Sequence, residues 1–160
     1  MGFRALFLFL ILILFPSLIV EKGWPGEQVA QPSFWVVGQK ALPLSSLTPK
    51  QILHILKTDD RIWGNGDAIR VALLSNMVTG DDHWVQWLGV ASIDTLLSEW
   101  IEADLVQDWP APKRFDNLNT LLEFVARTPG AIGFSSTQPS TLPPNVRIIP
   151  IQEKALHSSS

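Results

Sequence analysis

The sequence predicts a single α/β domain, and three observations carry that expectation. Short apolar runs of strand length, Phe34–Gly38, Ile69–Leu74 and Ala131–Phe134, alternate with segments whose apolar residues recur at helical spacing. The helical segments open on capping residues and close on glycine or proline. The chain has 160 residues, 46% of them hydrophobic and 17% charged, which suits one packed core and is too little for two ordinary domains. Strand–helix alternation on this scale predicts a small sandwich with a mixed or mainly parallel sheet.

Residues 1–30 read as a secretory leader. Arg4 supplies a positive start, Leu6 to Phe15 is an unbroken apolar run, and Pro16 and Ser17 interrupt it before Leu18-Ile19-Val20. That run falls short of the ~20 apolar residues of a membrane span. Cleavage after Ala30 is one reading and an uncleaved anchor of marginal length is the other. Residues 21–33, rich in Gly, Pro, Glu and Gln, are a linker or a remnant of the leader.

Phe34–Gly38 is apolar throughout, as in a strand covered on both faces. Thr48 then suits an N-cap, Pro49 the first helical position and Gln51 the far side of a capping box. Ile52, Leu53, Ile55 and Leu56 give this helix its buried side. Asp59–Asp67 is a polar loop with Trp63 embedded and Gly64 and Gly66 allowing tight turns, and Ile69–Leu74 is the second strand. Asp81 or Asp82 caps the next helix, with Trp84, Val85 and Leu88 on one face and Gly89 at its end. Ser92 caps another, turning Ile93, Leu96, Leu97, Trp100 and Ile101 inward. Pro110 and Pro112 break the chain before a helix at 117–127, whose Leu118, Leu121, Leu122 and Val125 form one apolar face. Pro129 and Gly130 turn the chain into the strand Ala131–Phe134. Asn145–Ile151 is the last strand of a domain spanning 34–151, and 152–160 reads as a disordered tail.

Several kinds of chemistry have no support. The chain has no cysteine, which removes disulfides, thiol catalysis and lipid attachment at a leader cysteine. Net charge is −3, the pI is near 5.5, and no Lys/Arg run occurs, so nucleic acid is not an expected partner. Gly-x-Ser-x-Gly, His-Glu-x-x-His, P-loop and dinucleotide glycine motifs are absent, so no enzyme is expected. Asp81, Asp82 and His83 are adjacent and point in different directions on a helix, and nothing stands at i+4 from His83 to complete a metal site. No metal or cofactor is expected.

The wording of four segments is more specific than their periodicity. "LLEFVARTPGAIGFSS" (121–136) resembles the segment near the C-terminal end of phosphate-type periplasmic solute-binding proteins, the substrate-binding components of phosphate ABC transporters. "LPLSSLTPKQILHILKTDDRIWGNGDAIRV" (42–71), "LGVASIDTLLSEW" (88–100) and "PPNVRIIPI" (143–151) resemble segments of the same family in the same order. The resemblance implies a fold like one lobe of a type II periplasmic binding protein. It also implies periplasmic location, membrane-tethered if the leader is retained, and a small oxyanion such as phosphate as ligand. A membrane transporter or periplasmic protein is the implied partner. Full-length relatives hold the ligand between two lobes, and this chain has length for one.

In those relatives a Ser-Gly-Thr turn at a helix N-terminus holds the anion. The corresponding residues here are Ser75, Asn76, Thr79 and Gly80, without that triplet and with Asp81 and Asp82 adding negative charge at the helix end. These four are the candidate ligand-binding residues, with Arg70 as counter-charge able to grip an anion bidentately. The plain alternative is a strand-to-helix loop capped by Asp81, and a surface Arg70 with a salt-bridge partner. Of the seven tryptophans, Trp84, Trp87 and Trp100 are expected to pack, whereas Trp63 and Trp109 sit in loops and are candidates for an exposed contact surface. The functional alternative is an interaction module that kept the fold and lost ligand binding.

Overall fold

The computed structural model describes residues 33–80 and 82–152, so the expected leader and, apart from Gln152, the expected tail lie outside the described residues. The described residues form a mixed α/β domain around a five-stranded sheet. Its strands are β1 (Trp35–Gln39), β2 (Arg70–Leu74), β3 (Lys113–Phe115), β4 (Ala131–Ser135) and β5 (Val146–Ile148). Their order is β3-β2-β4-β1-β5. β2 runs parallel to both β3 and β4, with Ala72 opposite Gly133, while β1 is antiparallel to β4 and β5, with Val37 opposite Gly133 and Ile148. β4 is therefore the middle strand, and all five of its residues are buried.

The first helix, α1 (Pro49–Leu56), closes the expected capping box: Thr48 Oγ1 accepts from the Gln51 N–H, and Gln51 Oε1 accepts from the Thr48 N–H at 2.9 Å. Ile52, Ile55 and Leu56 are buried, and Leu53 is half-buried. The chain after β2 makes a single turn, α2 (Asn76–Thr79), where the sequence reads as a loop; four residues are too few to show a helical period. Next comes α3 (His83–Trp87), then α4 (Ile93–Gln107), and α5 (Leu118–Arg127) lies between β3 and β4. Asn117 caps α5 by accepting from the Thr120 N–H at 2.9 Å.

The last helix lies on β1, β2 and β4. Gly133 is what lets it approach, because a Cβ there would stand 2.7 Å from Leu121 Cδ2 and 2.8 Å from Val37 Cγ2. Elsewhere in the core, Phe34 meets Trp84 and Trp87 edge-on at 5.8 and 5.7 Å. Trp100 is buried and donates its indole N–H to the Leu56 carbonyl, joining α4 to α1.

Four expectations are corrected. Ile101 is not inward: the buried stripe of α4 is Ile93, Leu96, Trp100 and Ala103, and Ile101 lies one step around the helix at 59% exposure. Trp63 is not a surface residue. It is 8% exposed, and its indole N–H donates to the Gly130 carbonyl at 2.8 Å, an acceptor 67 residues away that loop composition could not reveal. Neither Asp82 nor Ser92 caps its own helix with a side-chain bond. Instead Asp82 Oδ1 accepts from the Ile93 N–H at 3.3 Å, serving the first residue of α4. Finally, Gln152 does not begin a free tail: its N–H donates to the Leu47 carbonyl at 2.8 Å, and its amide to Ser46 Oγ.

Candidate functional site

Parallel strands direct their carboxyl ends, and the loops that follow them, to one edge of a sheet, where α/β proteins build ligand crevices. In this domain that edge collects Ser75 and Asn76 after β2, Asp116 after β3 and Ser136 after β4. Because β1 is antiparallel, its beginning, with Ser33 before it, reaches the same edge. A crevice of about 370 Å³ opens there, and its polar lining comprises Ser33, Asn76, Gly80, His83 and Ser136. Met77 and Trp84 form its apolar floor.

Local hydrogen bonds set these groups in place. Ser135 closes a turn at the end of β4, accepting from the Thr137 N–H at 3.0 Å and donating to the Thr137 carbonyl at 2.7 Å. That turn presents Ser136, whose hydroxyl donates to Asn76 Oδ1 at 3.0 Å and links the ends of β2 and β4. The amide NH₂ of Asn76 is thereby turned away from that bond and available as a donor. The Gly80 backbone borders the same space, as α2 ends there.

The five residues singled out in the sequence separate into three groups. Asn76 and Gly80 line the crevice. Ser75 and Thr79 lie close by, but their hydroxyls are engaged: Ser75 Oγ donates to Asp116 Oδ1 at 2.8 Å, and Thr79 Oγ1 to the Ser75 carbonyl at 3.3 Å. Arg70 is not brought to them. It opens β2 whereas Ser75 follows its end, about 16 Å away along an extended strand. Its guanidinium stands 5.5 Å from the ring centre of Trp109, itself half-buried rather than fully exposed. Arg70 also lacks a carboxylate partner among the described residues, where the ion pairs are His54–Asp60 and Lys57–Glu99.

Ser33, His83 and Ser136 are crevice residues that the sequence reading missed. Ser136 had a signal, a hydroxyl directly after an apolar strand ending "GFSS". Ser33 and His83 had none, since their place depends on the antiparallel return of β1 and on the short helix before α4. Among the described residues no group of three His, Asp or Glu could hold a metal ion, and no helix is long and apolar enough to cross a membrane.

No family model matches this chain, and no curated protein matches it. Among solved structures it is similar to an ABC-type phosphate transport receptor from Vibrio cholerae, at 18% identity and a TM-score of 0.44. The match covers 74% of this chain and 45% of the receptor, so the chain spans under half of that protein's length.

Proposed function

We infer that this is a solute-binding domain of the exported type, holding a small oxyanion such as phosphate in the crevice at the carboxyl edge of the sheet for ABC-type transport. The observation that carries this reading is the convergence of Ser33, Asn76 and Ser136 there, from three segments far apart in sequence. Neutral donors suit such a ligand: hydroxyl, amide and backbone N–H groups bind an oxyanion without a neutralising cation when several point at it. The role assigned is binding without chemistry. A membrane transporter is the partner that fits it.

The test is calorimetric titration of the full chain with phosphate and with sulfate. Binding that weakens when Asn76 and Ser136 are both replaced by alanine supports the reading. Absence of heat at millimolar oxyanion leaves the second reading, an interaction module without a ligand. One observation favours that alternative: Ile101, Leu105 and Val106 on α4 are apolar and 59%, 78% and 76% exposed.

A further inference from the structure

A second pocket, of about 290 Å³, lies at the opposite end of β2, where β2 and β3 begin. Its walls are Ile69, Val71, Pro110, Pro112, Trp109 and Phe124, apolar and partly planar. Three cations border it. The guanidinium carbons of Arg61 and Arg70 stand 5.4 and 5.5 Å from the centre of the Trp109 ring, and Lys113 Nζ stands 5.1 Å from that of Phe124. Arg61 is held in place, its Nε donating to the Thr58 carbonyl at 3.1 Å and its Nη2 to Gln107. The guanidinium of Arg70 and the ammonium of Lys113 have no hydrogen-bonding side chain or carboxylate among the described residues. On a chain of net charge −3 this concentration of unneutralised positive charge around an apolar hollow is a local inversion of sign.

The backbone around this pocket is also held under constraint. Thr58 on its wall has φ 62° and Asp108, just before Trp109, has φ 50°; among the described residues these are the non-glycine positions with positive φ. A β-branched residue in that region is strained, and such strain persists where the surroundings fix it. Trp109 is fixed by its N–H, which donates to the Ala103 carbonyl at 3.1 Å.

We propose that this pocket binds a small organic anion with a planar body, an aromatic carboxylate of one or two rings. The apolar surface of Ile69, Val71, Pro110 and Pro112, bounded by the Trp109 and Phe124 rings, receives the ring, and the carboxylate meets Arg70 and Lys113, which have no carboxylate partner among the described residues. The two guanidinium groups near one ring repel each other, and an anion between pocket and solvent relieves that repulsion. A bare phosphate would leave the apolar walls unfilled, so this site and the crevice at the other end of β2 select different ligands.

The test is calorimetric titration of the full chain with 2-naphthoate and benzoate, with benzamide as the uncharged comparison and inorganic phosphate as competitor. Naphthoate should bind more tightly than benzoate, benzamide about tenfold or more weaker than benzoate, and phosphate should not compete. Arg70→Gln together with Lys113→Gln should weaken naphthoate about tenfold or more, while Arg114→Gln, an exposed cation on β3 outside the pocket, should leave it unchanged. Trp109→Leu should weaken naphthoate more than benzoate, and this variant decides the matter if the double substitution does not fold. Equal binding of benzoate and benzamide, or equal losses in the Arg114 and Arg70/Lys113 variants, would overturn the proposal. So would absence of naphthoate binding. Phosphate binding at the crevice is read in a separate titration, so either site can fail alone.

Discussion

The two ends of β2 differ in almost every physical respect, though five residues of extended chain separate them. At its carboxyl end the polar groups are neutral or backbone: the Asn76 amide, Ser33, Ser136, whose hydroxyl already donates to Asn76, and the Gly80 backbone line an open crevice, while Asp116 beyond β3 accepts from the Ser75 hydroxyl. At its amino end Arg70 and Lys113 line a pocket beside Trp109 and Phe124, Arg61 stands over the same Trp109 ring, and none of the three has a carboxylate partner among the described residues. The edge at which parallel strands end also receives the amino ends of the helices that follow them, whereas the edge at which they begin receives the connections that lead back from those helices. Here the latter include the 58–69 loop and the proline-rich 109–112 segment. The difference teaches that the one arginine and the four polar residues placed together from sequence lie at opposite ends of β2.

The largest effect should come from the turn that ties the amino end together. Gly130 has φ 74°, and a Cβ there would stand 2.1 Å from the Ala68 carbonyl oxygen. Its own carbonyl accepts from both Trp63 Nε1 and the Arg70 N–H. Gly130→Ala should cost about 3 kcal/mol, combining a left-handed backbone with overpacking. Urea denaturation measures it, and a loss below about 1 kcal/mol would mean that the Asp67–Ala68 loop yields freely.

Next in size is the crevice itself. Replacing Asn76 and Ser136 with alanine should lower phosphate affinity about tenfold and leave naphthoate binding at the other end unaltered. Parallel losses for both ligands would show that the two ends do not act independently. A smaller change tests the scaffold beside the crevice: Asn117→Ala removes the α5 cap and should cost about 1 kcal/mol in thermal or urea unfolding. Naphthoate affinity should be unaffected, because the cap faces the carboxyl edge.

The smallest effect concerns a charge pair at neither end. Lys57 Nζ donates to Glu99 Oε1 at 2.8 Å, joining the end of α1 to α4, and this bond raises the lysine pKa above its ordinary 10.5. A raised pKa means that the stabilisation is complete below pH 10.5 and is lost as pH climbs through the folded-state value. Both side chains are about one-third exposed, so solvent screening limits the contribution to about 0.5 kcal/mol. Lys57→Met should therefore cost about 0.5 kcal/mol at pH 7, and its gap to the unsubstituted chain should close as pH rises through the folded-state pKa of Lys57, which flattens the alkaline limb. An unaltered alkaline limb would show that the pair contributes nothing.

What the sequence determined by itself is what adjacent residues decide among themselves. The capping box of α1 and the Leu121–Leu122–Val125 stripe of α5 follow from spacings of three and four residues, which one turn of helix converts into contact. The strands β1, β2 and β4 were equally legible, since burial requires their side chains to be apolar. Hence the α/β class, and a polar segment at the end of β2, could be read without coordinates. The tertiary structure alone decided the rest. β3 is a three-residue edge strand, Lys-Arg-Phe, which pairing with β2 creates and no periodicity announces. Trp63 became buried because Gly130 offered a carbonyl from the far side of the chain, and Ile101 became exposed because only one stripe of α4 faces the core. Arg70 and Ser75 sit five residues apart in sequence, yet an extended strand of about 3.3 Å per residue carries them to opposite edges. Proximity in sequence becomes proximity in space on a helix, and becomes separation on a strand.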